Sequence, residues 1–162
     1  MGQEEVNKIK ARFLELNLHP IYLEHEDDSI RSEDAAKSRG FELKQGIKSM
    51  LFTNGEEWVI VNLPADKKID FKKVAAQNGW SNSKTRIGNE EEVMEKTGCK
   101  IGAVPPFGHK EEMKILVDKG VYDNEVSTFN IGLREVSVKI PTEEMKVVFN
   151  DLNAFEGDFV KE

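Results

Sequence analysis

The chain has 162 residues, of which 38% are hydrophobic and 33% charged, a composition typical of one globular domain and not of a disordered chain. The net charge of −7 disfavours a protein that coats nucleic acid with a broad basic face, although it permits contact with one end of an RNA. No apolar run approaches the roughly 20 residues of a membrane helix, and the single Cys99 excludes an internal disulfide.

The first 40 residues are predicted to form a helix, a short strand and a second helix. Apolar residues at helical spacing predict a helix from Glu4 to Leu18, which His19-Pro20 ends because proline removes a donor. A short strand is predicted from Ile21 to Leu23. Ser32 is a good N-cap for a helix that continues to Arg39. The polar start, Met1–Lys10, lacks the apolar stretch of a secretory signal, so we expect a cytoplasmic protein.

A hairpin follows. Two apolar strands, Ile47–Thr53 and Glu57–Leu63, are separated by Asn54-Gly55, the pair that a type I′ turn prefers. Val59–Val61 is continuously apolar, which predicts a central strand covered on both faces.

The second half alternates helices, loops and strands. We predict a helix capped by Asp70 to Gln77, a helix capped by Asn89 to Lys96, a loop at Gly102–Gly108, strands at Ile115–Val117, Glu125–Phe129 and Arg134–Ile140, and a final helix capped by Thr142. Hairpins mixed with helices favour an α+β class over a regular βαβ succession.

Common catalytic signatures are absent from the sequence. His19, His25 and His109 are far apart and make no zinc pattern with Cys99. No phosphate loop, dinucleotide fingerprint or nucleophile elbow is present. We interpret Cys99 as structural and His109 as a residue that satisfies its own loop, and we expect no metal and no cofactor.

Two stretches are chemically unusual. In Gly46–Phe52 a lysine opens an apolar strand, either for chemistry or as an edge lysine that blocks strand addition. In Gly102–Gly108 a Pro-Pro pair lies between glycines, either as part of a site or as a rigid surface turn.

Together with other segments, these stretches resemble the YbaK and prolyl-tRNA synthetase editing-domain family. The likeness is strongest over residues 32–149 of a domain expected to span 1–162, and the helix at 3–18 precedes it. In chain order the similar segments are Ser32–Ala36, Ile47–Phe52, Leu63–Asp66, Ile69–Ala75, Glu91–Val93, Thr97-Gly98, Gly102–Gly108, Asn130–Arg134 and Thr142–Glu144.

The resemblance implies a compact α+β fold with a mixed, mostly antiparallel, barrel-like sheet and flanking helices. It implies a cleft between the lysine strand and the glycine-proline loop. Lys48 and Gly102 take the catalytic positions, and the substrate-binding positions are Ser49, Ala103, Val104, Pro105, Pro106, Phe107, Gly108, Asn130, Gly132 and Arg134. Asn130 replaces a common serine and Glu135 a common glycine, which leaves the substrate's identity open.

The implied function is a trans-acting deacylase that hydrolyses the ester of mischarged tRNA. A small amino acid, namely alanine, serine, cysteine or threonine, on a proline tRNA is the expected substrate, and a synthetase is a further expected partner. Attack by water or by a substrate side chain remains open. Two alternatives remain: a non-catalytic adaptor with the helix Gln3–Leu18 as a partner surface, and a small-molecule aminoacyl-ester or amide hydrolase.

Overall fold

The structure is a computed structural model that describes residues 2–24 and 43–162. Its helices are α1 (Gln3–Glu15), α2 (Phe71–Asn78), α3 (Glu90–Thr97) and α4 (Thr142–Asp151). Its strands are β1 (Ile21–Glu24), β2 (Ile47–Thr53), β3 (Trp58–Pro64), β4 (Arg86–Ile87), β5 (Lys114–Asp118), β6 (Val126–Asn130), β7 (Val136–Pro141) and β8 (Phe155–Gly157). The predicted helix Ser32–Arg39 lies outside the described residues.

The described strands form two sheets. The larger has the order β4-β2-β3-β5-β8, with antiparallel pairs on the β2 side and parallel pairs from β3 to β8. The smaller, β1-β7-β6, is antiparallel. The α+β class is therefore confirmed, as is the central position of β3. Both sheets are open in the described ranges, so the barrel-like closure is not confirmed.

One isolated parallel bridge, Gly46–Thr128, connects the sheets at the start of β2. The pairing of β2 with β6 does not extend beyond this bridge. In its first half, Ile47–Met50, β2 therefore pairs only with β3 among the described strands. This open half of β2 carries the lysine that the sequence analysis singled out.

The helix α1 packs on the protein core. Val6, Ile9 and Phe13 are buried in one cluster with Phe107 and with β6, β7 and α4. The apolar stripe in the sequence dictates this packing, since helical spacing places the three side chains on one face. The structure thus favours the interpretation of α1 as a packed helix over that of a partner surface. No helix in the described part of the chain is long and apolar enough to cross a membrane.

The helix caps follow the sequence closely. The Asp70 carboxylate accepts from the N–H groups of Lys72 and Lys73. Asn89 and Glu92 form a reciprocal capping box at α3. The predicted cap at Thr142 is wrong: Thr142 is the first residue of α4, and its hydroxyl is hydrogen-bonded to Ser127 inside the protein.

The hairpin is confirmed, but its predicted turn type is wrong. A type I′ turn needs positive φ at both central residues, and only Gly55 has one, at +99°. The connection is instead four residues long, because the Asn54 side chain accepts from the N–H groups of Glu56 and Glu57. Strand β7 also begins later than predicted, which leaves Arg134 in the preceding turn.

Candidate functional site

The segment Gly102–Gly108, called here the glycine-proline loop, packs against α1. Phe107 is buried and meets Phe13 edge to face, with ring centroids 5.6 Å apart. Gly108 has a φ of +78°, and a Cβ there would lie 2.7 Å from Cγ1 of Ile9. Glycine is therefore required at this contact, both for its conformation and for its size.

A buried histidine closes the loop from its C-terminal side. The ring Nε2 of His109 lies 2.7 Å from the Pro105 carbonyl oxygen, which can only accept, so Nε2 carries the proton. Burial lowers the pKa of His109 to about 4, despite the opposing effect of the Pro105 hydrogen bond. Lys8 donates to the His109 carbonyl at 2.9 Å. His109 is thus a neutral loop brace, as the sequence analysis interpreted it.

Arg134 holds the other end of the loop. Its Nε and Nη2 donate to the carbonyl of Ile101 at 3.1 and 2.6 Å. Gly102 is exposed with a φ of +89°, and a Cβ there would lie 3.3 Å from Nε of Arg134. The guanidinium therefore lies against the start of the loop, and these two hydrogen bonds hold that end of the loop in place.

Several backbone N–H groups in the loop have no partner among the described residues. The N–H of Ala103 donates to the Lys100 carbonyl. By contrast, the N–H groups of Gly102, Val104, Phe107 and Gly108 have no hydrogen-bond partner within residues 2–24 and 43–162. A braced loop with unused N–H groups is suited to binding an oxygen that carries negative charge.

A polar chain joins the loop to the lysine strand. The Ser49 hydroxyl lies 2.6 Å from Oδ1 of Asn62, and Nδ2 of Asn62 donates to the Pro106 carbonyl at 3.2 Å. The cross-strand pair Ser49–Asn62 lies on the sheet face that also carries Leu51 and Ile60, and Val104 of the loop packs on that face. The loop is thus attached directly to β2 and β3.

Lys48 leaves β2 on the opposite face from Ser49, since side chains alternate along a strand. Its cross-strand partner is the buried Leu63. Lys48 is half-buried, and burial lowers the pKa of its ammonium, while the charge of Asp66 raises it. The direct link between the lysine strand and the loop therefore runs through Ser49, and Lys48 is the neighbouring residue at the open edge of β2.

The turn after β6 contains the remaining predicted positions. The Asn130 side-chain amide donates to the carbonyls of Leu133, Arg134 and Val136 at 3.1 to 3.2 Å. Gly132, with a φ of +127°, packs against α1, and a Cβ there would lie 2.6 Å from the Gly2 carbonyl oxygen. Gly132 therefore serves the contact between α1 and this turn.

Potential nucleophiles and metal ligands are not gathered here. Burial raises the pKa of the Cys99 thiol to about 12, so Cys99 is a protonated core residue at neutral pH. No three His, Cys, Asp or Glu side chains in the described residues are placed to hold a metal ion. The arrangement can bind and polarise a carbonyl through fixed backbone donors.

The sequence that contains these elements matches the profile of one protein family. The sequence profile of the aminoacyl-tRNA editing domain matches residues 27–147, which include β2, the glycine-proline loop and the turn after β6. The chain belongs to the aminoacyl-tRNA editing domain family. The resemblance stated from the sequence is confirmed.

Relatives of this editing domain include chains matched over most of their length and a much longer ligase matched over a small part. The chain is 30% identical over 117 residues to the multifunctional Ser/Thr-tRNA deacylase ProXp-y of Escherichia coli, with 69% of each chain covered. It is 27% identical to protein YwhH of Bacillus subtilis, over 86% of this chain and 88% of YwhH. A proline–tRNA ligase of Thermosipho melanesiensis is 30% identical over 55% of this chain, but the match spans only 15% of the ligase.

Solved structures support the fold of the editing domain. A candidate trans-editing enzyme for prolyl-tRNA synthetase superposes with a TM-score of 0.83, at 20% identity and 98% coverage of both chains. The hypothetical protein APE2540 also gives 0.83, at 19% identity, covering 95% of this chain and 99% of that one. These similarities concern architecture, including α1, which precedes the matched family segment.

One residue of the candidate site was not predicted from the sequence. Asn62 is fully buried and joins Ser49 to the loop, although the sequence pattern places it inside an apolar strand. The signal was present, because an amide in the middle of a buried strand needs hydrogen-bond partners. Only the fold identifies Ser49 and Pro106 as those partners.

Proposed function

We propose that this editing domain is a trans-acting aminoacyl-tRNA deacylase that hydrolyses the ester of mischarged tRNA. The observation that carries the proposal is the braced glycine-proline loop, attached through Asn62 to Ser49 beside Lys48. The relative named as a Ser/Thr-tRNA deacylase supports the same reaction type.

In the proposed reaction, unused N–H groups of the loop bind the ester carbonyl and the oxyanion that develops on it. One such donor is typically worth about 10²–10³ in rate. The His109, Arg134 and Phe107 contacts hold the loop in place before substrate arrives, so little ordering remains for the moment of reaction. Because the ester is already activated, water positioned at the carbonyl completes hydrolysis without an enzyme nucleophile.

Lys48 supplies positive charge at the edge of the site. In this proposal its ammonium binds the terminal phosphate of the tRNA or the developing oxyanion. Partial burial strengthens such an interaction, because charges attract more strongly where less water screens them. The nearby Asp66 carboxylate helps to keep Lys48 protonated.

The proposed substrates are small aminoacyl esters, with serine and threonine first and alanine and cysteine next, on a proline tRNA. The order follows the deacylase relative and the polar Ser49 and Asn130 side chains. The proposed partners are the acceptor end of the tRNA and an aminoacyl-tRNA synthetase, and the proposed compartment is the cytoplasm, where tRNA is charged.

A panel of mischarged tRNAs tests the reaction. Seryl, threonyl, alanyl, cysteinyl and prolyl esters of one proline tRNA are incubated with the protein, and the release of free amino acid is measured against a no-protein control. The expected result is hydrolysis of at least one small mischarged ester and sparing of the prolyl ester. Binding of the tRNAs without hydrolysis would instead indicate the adaptor, and hydrolysis of free aminoacyl esters alone would indicate a small-molecule hydrolase.

Lys48→Met is the sharpest single variant for the proposed role of the lysine. It removes the charge but retains most of the half-buried stem. The loss of a charged hydrogen bond of about 1.5–3 kcal/mol predicts a fall in kcat/KM of about ten- to 150-fold. The matched control is Lys84→Met at an exposed position in the short 3-10 turn that precedes β4. A Lys48→Met protein with the wild-type rate would remove Lys48 from the mechanism.

A further inference from the structure

The orientation of the Asn62 amide follows from its partners. Nδ2 faces two carbonyl oxygens, those of Pro106 and Leu116, at 3.2 and 3.3 Å. Backbone carbonyls only accept, so both hydrogens of the amide are used there and the opposite orientation would leave oxygen against oxygen. Oδ1 must therefore face Ser49.

The polarity of Ser49 follows in turn. At 2.6 Å from Oδ1 of Asn62, the Ser49 hydroxyl has to donate its single hydrogen to that oxygen. The lone pairs of Ser49 Oγ remain, and the side chain is only partly buried. Ser49 is thus available to a ligand only as a hydrogen-bond acceptor.

Asn130 presents the same polarity independently. Its amide nitrogen is directed at three backbone carbonyls, which leaves its side-chain oxygen as the group free to accept. The parallel bridge Gly46–Thr128 sets the relation between the two strands. Lys48 and Asn130 each lie two residues beyond this bridge along their strands, and Ser49 follows Lys48 on β2.

We propose that Ser49 is a specificity-determining acceptor for a hydrogen-bond donor on the aminoacyl group, and that Asn62 is the positioning residue that fixes this polarity. The proposal rests on the proposed function. Two donors are available on such a substrate: the α-ammonium, which every aminoacyl ester carries, and a side-chain hydroxyl, which seryl and threonyl esters carry and an alanyl ester lacks. A partly buried acceptor discriminates against a ligand that covers it and leaves it unpaired.

The test compares seryl and alanyl esters of the same tRNA in the wild type, Ser49→Ala and Ser49→Thr. If the acceptor binds the side-chain hydroxyl, Ser49→Ala lowers kcat/KM for the seryl ester about tenfold more than for the alanyl ester. An equal fall for both esters would indicate that Ser49 binds the α-ammonium, which every aminoacyl ester carries, and would overturn the specificity role. In either case Ser49→Thr retains activity, because threonine keeps the hydroxyl that donates to Asn62.

Unchanged kcat/KM for both esters in Ser49→Ala would overturn the proposal. A loss that Ser49→Thr shares with Ser49→Ala would also overturn it, since it would indicate a packing effect. If the wild type hydrolyses neither ester nor any other of the panel, the proposed function itself fails. Hydrolysis by the wild type with no effect of Ser49→Ala is a failure of the acceptor role alone.

Asn62→Leu tests the positioning role, because leucine has a similar size and no polar atoms. We expect lower kcat/KM for both esters, because the loop loses its link to β3. We also expect a reduced seryl-to-alanyl preference, since Ser49 is then free to turn its hydrogen toward the substrate. A folded Asn62→Leu protein with the wild-type preference would overturn the positioning role. Thermal unfolding shows whether the variant is folded. If it is not, the comparison of Ser49→Ala with Ser49→Thr decides the proposal.

Discussion

At the scale of single residues, buried polar groups around the loop have fixed roles. His109 donates to Pro105, Asn62 donates to Pro106, and the Cys99 thiol is held against the Thr97 carbonyl. Each lies in a setting where an unmatched polar atom would destabilise the fold by about 1–3 kcal/mol. The conformation of the glycine-proline loop is therefore determined by these hydrogen bonds as well as by Pro105 and Pro106.

His109 makes stability depend on acid pH. Its pKa lies at about 4 in the folded protein against 6.5 for an unperturbed histidine, so between these values the unfolded chain binds the proton more readily. The contribution of His109 to the free energy of unfolding is complete above pH 6.5. This contribution falls by about 3 kcal/mol in total as the pH falls toward 4. Urea unfolding across this window measures it.

His109→Gln retains an amide donor for the Pro105 carbonyl and does not titrate. We expect this variant to lose the steep part of the acid dependence, whereas His19→Gln at an exposed position keeps it. An acid profile of His109→Gln that parallels the wild type would assign the dependence to other groups.

At the scale of elements, α1 supports the loop although it precedes the matched family segment. Ile9 and Phe13 pack beneath Gly108 and Phe107, and Lys8 binds the His109 carbonyl. These contacts join residues about 100 positions apart in the chain. The docked helix thereby stabilises the loop conformation in which the N–H groups are available.

Gly108→Ala tests this support. Alanine at a φ of +78° with Ile9 at 2.7 Å adds a collision to the backbone penalty of about 1–2 kcal/mol for a left-handed residue. We expect a larger loss of unfolding free energy than in Gly79→Ala, and lower deacylation. Gly79 is a matched control, since it has a φ of +70° and nothing within 4 Å of its Cβ position.

Equal stability losses in the two glycine variants would mean that Ile9 moves aside freely. Equal losses together with unchanged deacylation would refute the supporting role of α1. Chemical unfolding at constant pH supplies the stabilities, and the seryl-ester assay supplies the activity.

At the scale of the whole molecule, the two sheets share one core. Ile47, Val117 and Phe107 from the larger sheet and its loop lie in the same cluster as Phe129 and Val138 from the smaller one. Within residues 2–24 and 43–162, the backbone pairing between the sheets is the one bridge Gly46–Thr128. Side-chain packing therefore joins them, and we expect them to unfold together.

Phe129→Ala tests this cooperativity from the smaller sheet. A buried phenylalanine truncated to alanine destabilises by about 3–5 kcal/mol. Trp58 and Trp80 belong to or pack on the larger sheet, so their fluorescence reports the other half of the molecule. We expect tryptophan fluorescence and far-UV circular dichroism to shift to the same lower urea midpoint, while Val147→Ala at an exposed position changes little. Separate midpoints would indicate independent units.

Local rules in the sequence account for much of the fold. The caps at Asp70 and Asn89, the hairpin and the central β3 all follow from short-range patterns. The short strands β4 and β8 were not predicted, because two or three residues are too few to show the alternation of apolar and polar residues typical of a strand. The turn type failed because side-chain bonds from Asn54 compete with the turn that an Asn-Gly pair prefers.

By itself, the sequence determined the α+β class, the family and the two segments that carry the candidate chemistry, because composition, periodicity and motif order are local properties of a chain. Only the tertiary structure decided that Asn62 joins Ser49 to Pro106, that α1 braces the loop, and that the loop lies on the Ser49 face of β2. Those relations depend on contacts between distant segments. The register and packing that create them are set by the whole core together.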